Sequence, residues 1–242
     1  MISNIALKKP VFVSGKFNPY LKMCNLETQN NVLGKLKLLT SETGNNREFL
    51  QTCIYDQAGK MLGEEIFSIN DSPRTMFGFD IRVNRDLRKC GARLGEILRL
   101  SSVIEMLENN APSLDIMSKG SAVYFHSKYK FEPNLRRFDQ SEIALKTIIQ
   151  NSKGKWPEFE SEAQRLLDKF EKTEDIQSLW QARSEINELL KKYVSKVLAD
   201  KSIQGEHPFV LGFDMTLKKD SVIRNKEFFN SLFESHGIDY KI

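Results

Sequence analysis

The sequence predicts an α+β fold: a mixed, mostly antiparallel sheet flanked by helices, with a helical C-terminal extension. Three observations lead there. Between Val32 and Val83, four segments alternate apolar and polar residues with a period of two, the mark of strands with one buried face. From Ala92 the period lengthens to that of a helix, and a strand–helix–strand–helix order follows the four strands. Beyond Phe138 the composition shifts to strong helix formers.

Taken in order, residues 1–30 hold Pro10, Gly15 and Pro19 and no sustained period, which predicts an irregular lead-in. Val32–Leu39 is the first strand, with Val32, Leu36 and Leu38 expected on one face. Glu48–Tyr55 is rich in aromatic and β-branched residues. Lys60–Ile69 sets Met61, Gly63, Phe67 and Ile69 on one side. Met76–Val83 alternates Phe77, Phe79, Ile81 and Val83 against Met76, Gly78, Asp80 and Arg82. Gly44-Asn45-Asn46, Asp56-Gln57-Ala58-Gly59 and Asn70-Asp71-Ser72-Pro73 supply turns, so the strands form an antiparallel meander.

A helix then spans Ala92–Glu108, with Leu94, Ile97, Leu98, Ile104 and Leu107 on one face, and Asn109-Asn110-Ala111-Pro112 ends it. Leu114–Met117 is a short strand, Gly120–Tyr129 a second helix, and Phe131-Glu132-Pro133 extended. Helices are predicted at Ser141–Asn151, Glu158–Lys172 and Asp175–Leu198, then a strand at Phe209–Leu217 and a last helix near Ile223–Ser235. The chain thus divides into a core over residues 1–138 and a mainly helical region over 139–242 that ends in a strand and a helix.

Composition narrows the function classes. With 40% hydrophobic and 28% charged residues, 13 Gly and 7 Pro, the chain is built to fold. No run approaches the ~18 apolar residues of a spanning helix, and no basic region followed by an apolar run marks a secretory signal. Cys24, Cys53 and Cys90 are odd in number and widely spaced, as expected for reduced thiols of a cytoplasmic protein, and no residue cluster has metal-ligand spacing. A net charge of +4 is too mild to announce a nucleic-acid binder. The basic cluster Arg82, Arg85, Arg88, Lys89, Arg93 and Arg99 coincides with a glycine turn.

That turn, Val83-Asn84-Arg85-Asp86-Leu87-Arg88-Lys89-Cys90-Gly91-Ala92-Arg93-Leu94, joins a strand to a helix. The first turn of a helix presents amide N–H groups and a partial positive charge, so the segment suits phosphate. Gly91 would let the backbone approach an anion, and Arg88, Lys89 and Arg93 add charge. The same residues also suit a plain connector with solvated basic side chains.

Residues 83–93 resemble the acetyl-CoA-binding motif of the GNAT acetyltransferase superfamily, Val-x-Pro-x-x-Arg-Gly-x-Gly-x-Gly/Ala, with Val83, Arg88 and Gly91 in register. Residues 119–131 resemble its second segment, Asn-x-x-Ala-x-x-Phe-Tyr-x-Lys-x-Gly-Phe, through Ala122, Phe125, Lys128 and Phe131. The resemblance covers roughly residues 32–135 and implies a GNAT-like sheet. It implies an acetyl-CoA-dependent N-acetyltransferase acting on a primary amine, whether a small molecule or a protein. The pantetheine arm would pair with Phe79–Val83, the diphosphate would sit on the amides of Lys89, Cys90, Gly91, Ala92, Arg93 and Leu94, and Arg88 and Arg93 would add charge-assisted contacts. An N–H near Ile81 or Val83 would polarise the acyl carbonyl.

Arg85 stands where the pattern has Pro, Lys89 and Arg93 where it has small residues, Lys119 where it has Asn, and Lys130 where it has Gly. His126 holds the position of the family's Tyr, the proton donor to the leaving thiolate, with Tyr124 and Tyr129 as neighbouring substitutes. Each is equally readable as a packed helix residue. Asp80 reads either as general base or amine anchor, or as an ion-pair partner of Arg82. His207 and His236 are isolated in sequence and read as structural or exposed. The rival function is an acyl-CoA-binding or protein-interaction module without turnover. Nucleic acid and membrane are disfavoured as partners, and a homodimer is left open.

Overall fold

The computed structural model describes residues 8–16, 20–44, 49–69, 75–136, 138–200 and 212–242. They fall into two compact units, Met1–Asp115 with Lys218–Ile242, and Ile116–Leu217. This differs from a division at residue 138, because the last segment of the chain returns to the first unit. The shift to helix formers marks a change of element type rather than a boundary.

In the first unit, six strands run antiparallel in chain order. The lead-in is not irregular: it holds β1 (Val11–Ser14) and β2 (Lys22–Asn30). Val11 lies opposite Asn25 at one end of β2, and the other end pairs with β3 (Gly34–Thr43), Leu26 opposite Leu38. The period of β2 is hidden because two of its inward positions are polar, Thr28 and Asn30, each satisfied by a distant carbonyl. Val32 is exposed rather than on the buried face with Leu36 and Leu38, because it sits in the turn. There the Asn30 carboxamide oxygen accepts the N–H groups of Val32 and Leu33 at 2.9 and 3.0 Å.

β4 (Phe49–Tyr55), β5 (Met61–Ile69) and β6 (Met76–Val83) complete the meander. The β4–β5 turn is closed by Asp56, whose carboxylate accepts from the amides of Ala58 and Lys60, both at 2.9 Å. The turns expected at residues 45–46 and 70–73, and residues 209–211 of the expected last strand, lie outside the described residues. In β6 the simple alternation fails. Ile66 pairs with Asp80 but Phe67 pairs with Gly78, so Phe79 is the extra residue of a β-bulge. The bulge resets the phase: Met76 and Gly78 are buried on one side of it, while past it Ile81 pairs with the fully buried Glu65. Phe79 itself is left half exposed.

The second unit holds the latter half of β7 (Ser113–Ser118), then α2 (Val123–Lys128) and β8 (Glu132–Pro133). Three helices follow, α3 (Phe138–Ser152), α4 (Pro157–Glu171) and α5 (Ile176–Ala199). β9 (Phe213–Lys218) pairs antiparallel with β8, Glu132 opposite Thr216. The helices share a core of Leu145, Ile148, Leu166, Ile186 and Leu190. Tyr193 is buried against the rings of Trp156 and Phe159. Pro157 opens α4 at a position that needs no N–H, and the Asp175 side chain caps α5 through the amide of Ser178 at 2.8 Å. Among the described residues no helix is long and apolar enough to cross a membrane.

Back in the first unit, α1 (Leu94–Glu108) lies across β2, β4, β5 and β6. Leu94, Ile97, Leu98 and Ile104 of the predicted face are buried and Leu107 only partly, and the helix also buries Leu100, Val103 and Met106 together with Arg99, Ser101, Ser102 and Glu105. The Arg99 guanidinium is 2.9 Å from the Glu65 carboxylate of β5, with both side chains almost wholly out of water. Glu105 accepts the Cys24 N–H of β2 at 2.6 Å and a bond from Asn109 at 3.4 Å. The guanidinium thus serves Glu65, while amide donors serve Glu105. Burial raises Glu65 to about 7 against the pull of Arg99 and Ser102, and raises Glu105 to about 8 against bonds from the Cys24 amide, Thr40 and Asn109.

Both carboxyls ionise near 4.5 when unperturbed, the value expected in the unfolded chain, so the folded state binds protons more tightly. Their contribution is complete below that pH and is lost as pH rises through about 7 and about 8. The urea midpoint is therefore expected to fall between about pH 5 and pH 9, and Glu105→Gln to flatten much of that slope. An unchanged slope in the variant would remove Glu105 as its cause.

Candidate functional site

The segment from β6 to α1 is folded by its own backbone and by one buried asparagine. Beyond Val83, the Asn84 amide donates to Leu62 O at 2.9 Å and its side chain to Met61 O at 3.0 Å, which prolongs the pairing with β5. A 3-10 turn over Arg85–Leu87 follows. The Arg88 Nε donates back to Val83 O at 3.2 Å, and the Cys90 thiol donates to Leu87 O at 3.0 Å. Gly91 takes φ 79° and Arg93 takes φ 52°, both left-handed, with buried Ala92 between them. The Ala92 carbonyl accepts the Asn30 carboxamide at 2.8 Å. Asn30 therefore joins the β2–β3 turn to this one.

Arg93 is the N-cap of α1, and its carbonyl accepts the amides of Glu96 and Ile97 at 3.0 and 3.3 Å. Its side chain makes no capping hydrogen bond and pairs instead with Glu96 of the first turn. Arg85, Arg88, Lys89 and Arg93 are exposed around it. A Cβ placed on Gly91 would meet nothing within 4 Å, so that backbone opens on free space. Helix-start amides, local positive charge and room for close approach are what an anionic ligand such as a diphosphate requires.

Of the residues predicted from sequence, Ile81, Val83, Arg88, Lys89, Cys90, Gly91, Ala92 and Arg93 are brought together on this segment. Asp80, just past the bulge, has its carboxylate 2.7 Å from Arg82 Nε, and Arg82 is also 3.8 Å from Glu64. His126 and Tyr124 belong to the second unit, on α2. The His126 ring is buried there between Phe125 and Phe131, at centroid distances of 5.1 and 5.6 Å. Sequence reasoning missed three residues that support the turn: Asn30, Glu96 and His236. Of its two readings, structural or exposed, His236 takes the first: it is buried, with Nε2 3.2 Å from Glu96, and Glu96 in turn pairs with Arg93.

No family model matches the sequence, and no curated protein matches it. Solved structures similar to part of the chain are acetyltransferases. GCN5 of Tetrahymena is 19% identical, with a TM-score of 0.34 over 38% of this chain and 56% of its own. An acetyltransferase of the GNAT family from Staphylococcus aureus is 17% identical, with a TM-score of 0.33 over 38% and 58%. An acetyltransferase from Bacillus cereus that is named for IAA is 20% identical, with a TM-score of 0.31 over 36% and 58%. The chain spans less than two thirds of the length of each, and at that similarity neither family nor activity follows from the likeness.

Asn30→Ala removes one donor to Ala92 and the acceptor of two turn amides at a buried position. It is expected to cost about 1–3 kcal/mol, read from the denaturation midpoint. A loss within experimental error would mean that Asn30 does not hold the turn.

Proposed function

We propose that the β6–α1 turn binds the diphosphate of acetyl-CoA and that the protein transfers the acetyl group to a primary amine. The observation that carries this is the turn before α1, which combines two left-handed residues with open space at Gly91 and exposed Arg88, Lys89 and Arg93. The residues fit a diphosphate, because Gly91 leaves open space where a side chain would stand and the charges around it are positive. The pantetheine arm is proposed to run along Asp80–Val83, the strand end that follows the bulge at Phe79.

In the reaction the amine nitrogen attacks the thioester carbonyl carbon, the C–S bond breaks, and the coenzyme leaves as a thiolate that takes up a proton. An ammonium acceptor gives one proton to solvent before it attacks, and the amine loses a second to solvent as it becomes the amide. A backbone N–H near Ile81 or Val83 is proposed to polarise the carbonyl. By its register in the sequence, His126 is proposed to supply the proton to sulfur, with Tyr124 as the neighbouring donor. Asp80 is proposed to anchor the substrate ammonium, in exchange for its present partner Arg82.

Isothermal titration with acetyl-CoA is expected to show binding, and no binding at millimolar ligand overturns the proposal. Gly91→Ala should melt close to wild type, since only the left-handed backbone is strained, at about 1–2 kcal/mol. It should nevertheless bind the coenzyme at least about tenfold more weakly, because the added methyl stands where the phosphates approach. Release of free thiol with a panel of amines tests turnover: binding without release leaves a coenzyme-binding module. His126→Ala is expected to slow release by about 10²–10⁴ with affinity unchanged, and unchanged turnover removes the histidine from the mechanism.

A further inference from the structure

The pairing register of the first unit sorts the residues of β4, β5 and β6 between the two faces of the sheet. Glu65, which meets Arg99 of α1, is paired with Thr52 and Ile81, so those three share the face that packs against the helix. Successive residues of a strand point to opposite faces. Glu64 opposite Arg82, Ile66 opposite Gln51 and Asp80, and Ser68 opposite Phe77 therefore lie on the other face. Phe79 stands outside the β5 ladder, and its ring settles its side: it meets Phe77 at 4.9 Å and Phe49 of β4 at 5.2 Å, edge to face in both cases. In a regular strand Phe79 and Asp80 would point apart. The bulge puts these two consecutive side chains on one face.

The three rings make an apolar platform, and charge begins where it ends. The Asp80 carboxylate is 2.7 Å from Arg82 Nε, and Arg82 is 3.8 Å from Glu64, whose other oxygen accepts from the Gln51 carboxamide. Two carboxylates thus share one guanidinium, and the trio carries one net negative charge. It is open to water: the Phe79 ring is half exposed, and the side chains of Arg82 and Asp80 are 66% and 33% exposed. An exposed ring beside a surplus carboxylate matches an organic cation with an aromatic body, whose ring covers the platform and whose ammonium balances the charge. We infer that this face receives the acceptor, and that the acceptor is a small primary amine with an aromatic ring two or three carbons from its nitrogen. The ring lies on Phe79, Phe77 and Phe49, and the ammonium lies at Asp80. Phe79 and Asp80 are neighbours with Cα atoms about 3.8 Å apart, so a short link spans both. This rests on the reading of the protein as an acetyltransferase that anchors its acceptor at Asp80.

The probe is 2-phenylethylamine, set against ethylamine, which lacks the ring, and 2-phenylethanol, which lacks the charge. Titrated calorimetrically into the full chain with saturating free CoA, the probe is expected to bind at least about tenfold more tightly than either. Phe79→Ala, at a half-exposed position and with its folding checked by a melt, should abolish the advantage over ethylamine, and Phe79→Leu should keep part of it. Asp80→Asn should abolish the advantage over 2-phenylethanol and spare the one over ethylamine. Equal affinities for the three ligands in the wild type, or a ring advantage that persists in Phe79→Ala, overturns the inference. So does a change of mass by light scattering in Phe79→Ala without any ring advantage in the wild type, which makes the face an interface between copies of the chain. Thiol release from acetyl-CoA separates the two readings. Release with other amines but no preference for the probe overturns the aromatic acceptor alone. Binding of the probe with no release by any amine overturns acetyl transfer, and the acceptor role with it.

Discussion

The first unit depends on one constraint: α1 must bring a carboxyl and a guanidinium, and β5 a second carboxyl, into a buried core. A buried charge left alone is costly, so Arg99 has to meet Glu65 and Glu105 has to meet the Cys24 amide and Asn109. An apolar helix could slide or rotate on the sheet for a small loss, whereas this one loses its partners if it moves by a turn. The polar seam is thus a device of register more than of net stability. Fixing α1 fixes where its first turn lies, and that is the end of β6.

A second set of contacts acts at that end. Asn30 reaches from β2 to Ala92, and Glu96 reaches back to Arg93, so the turn is tied both to the sheet and to the helix it begins. The C-terminal segment closes the same region. His236 meets Glu96 near the start of α1, and Tyr240 donates to Glu108 at its end, at 3.0 Å. Burial and the neighbouring Glu108 charge both disfavour ionisation of that tyrosine, so it serves as a donor. The helix that presents its amides to solvent at one point is therefore held along its length by residues from either extreme of the chain.

What could be seen in the sequence follows from how each contact is made. β3 to β6 and the helices could be read because one face of each is apolar over several residues, which a period detects. β2 could not, because Thr28 and Asn30 occupy inward positions and are satisfied by carbonyls at His236 and Ala92, far away in the chain. The bulge at Phe79 was equally hidden, since an extra residue shifts the phase without changing composition. At the turn, Gly91 and the basic residues are local signals and stood out. Asn30, Glu96 and His236 are defined by what they meet in space, and no spacing in the sequence brings them together. The return of residues 218–242 to the first unit escaped for the same reason.

Arg93 shows how such a site is maintained where its sequence is unusual. A left-handed backbone costs a residue with a side chain about 1–2 kcal/mol, which glycine would avoid. Arg93 nevertheless stands at φ 52°, two residues after Gly91 at φ 79°. Its guanidinium offsets part of that cost through Glu96, and in this conformation the residue places a positive charge at the helix start together with the amides that follow it. Glycine there would relieve the backbone but remove the guanidinium that pairs with Glu96. Arg93 is thus a strained residue whose ion pair with Glu96 keeps a positive charge at the helix start.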